Sequence, residues 1–269
     1  FDYEDPKFND TFFDVLDTQL EHCPVVRSNV GHGYWWVTRN ADVRRVAQDW
    51  KTFSNAKGYQ PKRPASLPYL YPEESDPPIH TTWRNALNPF LSPKACVAYE
   101  PKIREDANEL IDRIINNGGC EFISEFGALL PGWAFFKNVI GVPLDDLQLL
   151  VDSVEWGTFA PTAEEKGKHF EVIFGYLGDY LKQRAKEPPR GDMVDAIVKG
   201  VVYPDGTRST FEENLCVMVD LTFGGIATTT YVIGSAIHYL ASHPEDRQLL
   251  LENPDMIPMA IEEFTRVFP

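Results

Sequence analysis

Leu215–Tyr239 reads LCVMVDLTFGGIATTTYVIGSAIHY. The stretch is too long for an ordinary surface helix and is apolar on nearly all sides, the pattern of a helix buried in the middle of a protein. Its centre holds Gly224, Gly225, Thr228, Thr229 and Thr230. Each glycine costs a helix about 1 kcal/mol against alanine. A buried helix that accepts this cost lets something come close to its backbone. Thr228 lies one turn beyond Gly224, so both face the same object. The expectation is a flat, bulky ligand against this helix, with Thr228 toward its reacting side.

The rest of the chain supplies material for a large core: of 269 residues, 43% are hydrophobic and 13% aromatic. The length admits one large domain or two small ones. A formal charge of −15 argues against a nucleic-acid partner, which needs clustered Lys and Arg, and fits a soluble, acidic enzyme. No uninterrupted apolar run reaches the roughly 18 residues of a membrane span, and Asp220 with its neighbouring Thr and Gly residues weakens the central helix as one. No membrane partner is expected. The start, FDYEDPKFND, resembles neither a signal peptide nor an anchor, so a cytoplasmic location is expected, although the chain does not begin with Met. Cys23, Cys96, Cys120 and Cys216 have no CxxC spacing and no His placed to complete a zinc site; they read as isolated reduced thiols.

Before the central helix, residues 1–24 read as an irregular lead-in with one amphipathic set, Thr11–Leu20. Cys23–Arg27 and Tyr34–Thr38, joined by a turn at Asn29–Gly33, predict a β-hairpin. Asn40–Trp50 has helical spacing, with Val43, Val46, Ala47 and Trp50 on one face. Ser54–Pro78 is a long proline-rich loop whose Tyr59, Leu67, Tyr69, Leu70 and Tyr71 either wall a pocket or decorate a solvated loop. Then comes DPPIHTTWRNALNPFLSP, Asp76–Pro93, with prolines suited to the start of a helix. His80 and Arg84, four apart, project from one face. Two cationic donors so placed can clamp a carboxylate or phosphate pair; taken alone, the spacing also describes an ordinary surface pair.

Helices are predicted over 99–117, 121–140, 144–156, 166–184, 193–199, 244–251 and 256–267, with breaks at Asn117-Gly118-Gly119 and Gly141-Val142-Pro143. Phe126, Leu129, Leu130, Trp133 and Phe136 read as core. Val201–Arg208 contains the turn signal Pro-Asp-Gly. Thr210 with Glu213 makes a capping-box pattern that starts the central helix. Glu263 and Arg266 are three apart on the last helix, a spacing that usually marks a solvated face. There is no internal repeat or low-complexity tract. The apolar ending Val267-Phe268-Pro269 reads as a chain cut off.

A His/Arg helix, then a long helix with Gly-Gly-x-x-Thr-Thr, then a Glu-x-x-Arg helix, in that order, resembles the cytochrome P450 family. YWWVTRNADVRRVAQDWKTFSN and HYLASHPEDRQLLLENP are similar to its soluble bacterial members. The resemblance runs from about Cys23 to the end. It implies a mainly α fold built around one long central helix, with a small N-terminal β-sheet, as a single domain over 1–269 that is C-terminally incomplete. It implies heme b, with His80 and Arg84 on the propionates and Trp83 between them in the same motif. Gly224 and Gly225 match the small residues that let the helix pass over the haem. Thr228, followed by Thr229, matches the threonine that steers protons to dioxygen. Glu263 and Arg266 match a structural ion pair that is buried in the family. The family usually has an acid before the threonine; here it is Ala227, which relays no proton. Asp220, on the same stripe as Gly224 and Thr228, is the candidate replacement, supplying protons or binding a polar substrate group, the alternative being that it pairs with an Arg or Lys elsewhere. The family's iron ligand is a cysteine in a Phe-Gly-x-Gly loop after Glu-x-x-Arg; none of the four cysteines has that context, so the thiolate is expected beyond Pro269.

The function so implied is monooxygenation, one oxygen atom from O2 inserted into a small apolar organic substrate, with electrons from NAD(P)H through a ferredoxin or flavin reductase. Lining candidates are the 59–71 loop, including Tyr69 and Leu70, with Asp220, Phe223 and Gly224. Peroxide-driven oxidation and a non-catalytic helical binding protein are the alternatives. An α-helical terpene cyclase is rejected, because Asp145-Asp146-Leu-Gln-Leu lacks the third Asp of a metal-binding DDxxD cluster.

Overall fold

The computed structural model describes residues 5–30, 33–58 and 67–268. They are mainly helical, with eleven α-helices and one two-stranded sheet among them. Two compact units emerge: Phe1–Arg84 with Val202–Arg208, and Asn85–Val201 with Ser209–Pro269.

In the first unit, α1 (Pro6–His22) is capped by Asp5, whose side chain accepts from the Lys7 amide. The expected Thr11–Leu20 set is the middle of this helix; the cap and the proline at its start extend it forward. Strands β1 (Val25–Ser28) and β2 (Tyr34–Val37) pair antiparallel with Val25 opposite Val37 and Ser28 opposite Tyr34. The hairpin is as expected, with its first strand shifted toward the turn. Phe8 and Phe12 of α1 meet Trp36 of β2 edge to face, so helix and hairpin share an aromatic cluster. Helix α2 (Asn40–Gln48) is shorter than expected and buries none of its residues; Val43 and Trp50 remain exposed. Leu70 is buried, and its amide donates to the Glu74 carboxylate at 2.9 Å, which gives the tail of the proline-rich loop an internal anchor. Tyr59 lies outside the described residues. Helix α3 (Ile79–Leu91) starts after the double proline and carries the boundary between the units.

The second unit is built around the long helix. Helix α4 (Pro93–Ile114) begins earlier than the expected 99, because Ser92 caps it and Pro93 fills its first position. Pro101 lies inside it without ending it. The expected helix over 121–140 is not one α-helix. It is π-helical at Ile123–Gly127 and Trp133–Val139, on either side of a single α turn, α5 (Leu129–Gly132). Amides there reach back five residues, as from Ala128 to the Ile123 carbonyl and from Ile140 to that of Phe135. Pro131 has no N–H to give, so the four-residue register lapses around it, and the wider turns hold a run of large aromatic side chains. Trp133 and Phe136 are buried as expected, with Leu129; Phe126 and Leu130 are half-buried.

Then follow α6 (Leu147–Phe159), α7 (Ala163–Arg184), α8 (Met193–Lys199) and α9 (Phe211–Ser242), with α10 (Pro244–Glu252) and α11 (Ile257–Val267) closing the chain. The capping box of α9 is formed: the Glu213 amide donates to Thr210 Oγ1 at 3.1 Å and the Thr210 amide to Glu213 Oε2 at 2.8 Å. Helix α9 packs against α5 through α8 and against α10 and α11. By length and composition it could cross a membrane. Its Val217, Met218, Val219 and Thr222 are fully buried, as in a core helix. Leu150, Val154, Ile173, Leu177, Val194 and Ile197 complete the apolar core around it.

Candidate functional site

The centre of α9 changes character at Gly224. Val217–Val219 and Thr222 upstream are fully buried, and Ile226, Ala227 and Thr230 are buried, but Gly224, Thr228 and Thr229 are exposed. The two glycines do different things, because neighbours on a helix point about 100° apart. A Cβ on Gly225 would touch the Phe135 ring at 3.6 Å, whereas one on Gly224 would meet no atom within 4 Å. Gly225 thus faces the π-helical segment and Gly224 faces open space. Thr228 continues the Gly224 strip, its Oγ1 donating to the Gly224 carbonyl at 2.6 Å; Thr229 Oγ1 donates likewise to Gly225 at 3.1 Å. Each hydroxyl keeps its acceptor lone pairs for another donor. Ala227 is 7% exposed, and its methyl side chain relays no proton to Thr228. Asp220, two turns before Thr228, is half-buried.

Phe223 is engaged within the second unit. Its ring stacks on Phe170 of α7, centroids 4.4 Å apart and planes at 10°, and covers Gly157 of α6. Any substrate it meets must do so over a ring already held on one face. Phe170 and Gly157 were not singled out by the sequence; an aromatic on α7 and a glycine on α6 are too common to signal a contact with α9.

In the first unit, His80 and Arg84 sit on successive turns of α3, His80 half-buried and Arg84 exposed. The His80 pKa is lowered, first by burial and then by the Arg84 guanidinium, against the opposing pull of Asp76. The Asp76 carboxylate is itself engaged by the Ser54 hydroxyl and by the Asn55 amide at 3.0 Å. Among the described residues, neither the His80 nor the Arg84 side chain hydrogen-bonds or ion-pairs with a protein group. A neutral imidazole and a permanent cation, both with donors to spare, suit an anionic ligand. Trp83 behaves differently: it is fully buried, and its indole N–H donates to the Tyr203 hydroxyl at 3.2 Å. Leu70 is buried in the same unit and Tyr69 is exposed.

Glu263 and Arg266 form a bidentate pair on α11, at 2.6 and 2.8 Å, and the pair is exposed. Cys23, Cys96 and Cys120 are exposed thiols and Cys216 is buried in α9.

On α3 the His80 and Arg84 side chains offer two donors that no described protein group takes, which fits a dianionic cofactor; taken by itself, α9 leaves open space at Gly224, beside the Thr228 hydroxyl that donates to the Gly224 carbonyl.

No family model matches the chain. The mycinamicin IV hydroxylase/epoxidase of Micromonospora griseorubida is 30% identical over 257 residues, 93% of this chain and 64% of that protein. The vitamin D(3) 25-hydroxylase of Pseudonocardia autotrophica is 29% identical over 243 residues, 86% of this chain and 58% of its own length. Among solved structures, a mutant of the mixed-function P450 MycG in complex with mycinamicin IV superposes with a TM-score of 0.76 at 28% identity, over 94% of this chain and 65% of that one. The chain therefore spans less than two thirds of each of these three. Within that span, sequence and fold agree from one end to the other, and the chain is a partial homologue of the bacterial cytochromes P450.

Proposed function

We propose that the complete protein is a haem-thiolate monooxygenase that inserts one oxygen atom from O2 into a small apolar organic substrate. Its cofactor is heme b, its electrons come from NAD(P)H through a ferredoxin or flavin reductase, and it works in the cytoplasm. The observation that carries the reading is the pair of donors on α3, His80 and Arg84, which no described protein group satisfies. Haem, when bound, supplies the redox chemistry that activates dioxygen.

The chain's own residues bind, orient and move protons. Arg84 would hold one carboxylate by charge and His80 a second by hydrogen bonding, which suits two propionates. Gly224 leaves the flank of α9 bare, so a ring can lie against the backbone. Thr228 Oγ1, now donating to the Gly224 carbonyl, can rotate to pass its proton outward and accept another in return. Asp220 supplies that proton or holds a polar group of the substrate. Phe223 and Tyr69 offer apolar surface to the substrate, and Glu263 with Arg266 closes an exposed pair along one turn of α11. None of the four cysteines has the sequence context of the family's iron ligand, so the thiolate is assigned to polypeptide outside residues 1–269.

The absorption spectrum of the complete protein, purified and dithionite-reduced, under carbon monoxide tests the reading. A strongly red-shifted Soret band supports haem-thiolate ligation; haem without that shift refutes the thiolate, and no haem refutes the cofactor. Ala227 favours a second reading, peroxide-driven oxidation, which needs no acid beside the threonine. Turnover with hydrogen peroxide and none with a reductase system would select it. An Asp220→Asn variant with unchanged coupling of electron use to product and unchanged substrate affinity would remove Asp220 from either scheme.

A further inference from the structure

His80 and Arg84 reach one target only if α3 is held at a fixed rotation. At about 100° per residue, His80 lies about 60° and Arg84 about 100° from Trp83, in the same sense around the helix. The direction of Trp83 therefore sets both donors. Trp83 is fully buried and has a single donor to satisfy. That donor reaches the Tyr203 hydroxyl, 120 residues away in the chain. Tyr203 stands in a tight hairpin. Val202 bridges to Arg208, the Tyr203 amide donates to the Thr207 carbonyl at 2.8 Å, and the Gly206 amide donates to the Tyr203 carbonyl at 2.9 Å. Gly206 has φ +87°, and the Asp205 carboxylate accepts from both the amide and the hydroxyl of Thr207. This hairpin, Val202–Arg208, is the segment after Arg84 that joins the first unit.

We propose that Tyr203 is a positioning residue for the two donors: by holding the Trp83 indole it fixes the turn of α3 that presents His80 and Arg84 together to a pair of carboxylates. The proposal rests on the haem reading above. Without the hydroxyl, the Trp83 N–H is orphaned in the core, which is costly, and rotation of the first turns of α3 relieves it. Both donors then leave their common direction.

The test titrates hemin and hemin dimethyl ester, which lacks the free carboxylates, into the purified protein and follows the Soret band and urea unfolding. Wild type should prefer hemin to the ester on the order of tenfold, the scale of one charge-assisted contact. Tyr203→Phe should lose most of that preference and some stability. Tyr203→Phe with Trp83→Phe removes the orphan but leaves a cavity, and it should not regain the preference. The double variant also carries the comparison if the single one fails to fold. An unchanged preference in Tyr203→Phe, or a preference that returns in the double variant, would overturn the proposal, because the bond would then be structural only. Wild type that binds no hemin, or binds hemin and ester equally, overturns the cofactor reading itself and the role of Tyr203 with it.

Discussion

Replacing Gly224 by alanine separates the cost of a helix from the use of a surface. In the interior of α9 the change gains about 0.8–1.0 kcal/mol of helix propensity. The added methyl meets no atom within 4 Å, so nothing in the protein offsets the gain. Gly224→Ala should therefore be more stable by about 1 kcal/mol, a rise in Tm of about 2–4 °C for a domain of this size. Gly132→Ala is the control. There a Cβ would lie 2.3 Å from Val151 Cγ2, and Val151 is 1% exposed and stiff at χ1. Overpacking of this kind costs roughly 1–3 kcal/mol, so the sign reverses. The Gly224 methyl also fills the space assigned to a flat ring. Pressed against a rigid ligand it costs roughly 1–3 kcal/mol, and hemin affinity should fall on the order of tenfold. Thermal unfolding and Soret titration read the two effects on one sample. A destabilised Gly224→Ala would show that the flank is not open. A stabilised variant with unchanged hemin affinity would show that the ligand lies elsewhere.

Asp106 is 3% exposed and is held by Lys137 and, at 2.6 Å, by Asn138, tying α4 to the second π-helical segment. Lys137→Met should cost roughly 3 kcal/mol or more in urea unfolding, because it leaves a buried carboxylate short of its counter-charge; Asp106→Asn added to it should recover part of the loss. His80 has a lowered pKa in the folded protein, so the unfolded chain binds the proton more readily. Its contribution to stability is complete above the unfolded value of about 6.5 and is lost as pH falls through the lower folded value; His80→Asn should flatten that part of a stability–pH curve. Burial works to raise the Asp195 pKa, but the amides of Gly191 and Arg190 and the Arg184 guanidinium together bring it below the usual carboxylate range. That contribution is present above about pH 4 and is lost below it, so wild type should lose more stability between pH 4 and pH 2 than Asp195→Asn does.

Local chemistry made much of this chain legible before any coordinates. Thr210 and Glu213 announced the start of α9 because a capping box closes within four residues, and the helix expected over Met193–Lys199 has those bounds, with Asp192 capping its start and Gly200 its end. The hairpin followed from two β-branched and aromatic runs around a turn. The i,i+4 spacing of His80 and Arg84, and of Gly224 and Thr228, is a property of the helix and needs no tertiary information. The order of the motifs was enough to suggest the family.

Long-range packing decided the rest. Nothing local told Gly224 from Gly225; the difference is that Phe135, 90 positions upstream, occupies the flank of one and leaves the other bare. Nothing near Trp83 showed that it turns inward, because its hydrogen-bond partner is the tyrosine of a distant hairpin. The π-helical turns around Pro131 depend on which large side chains must fit against their neighbours, a constraint absent from a one-dimensional period. The sequence alone determined which elements form and which donors share a face, since both are set within a turn or two of chain. Which face is buried, which is bare and which residue holds another in place was settled only by the tertiary structure, because those properties belong to pairs of residues far apart in sequence.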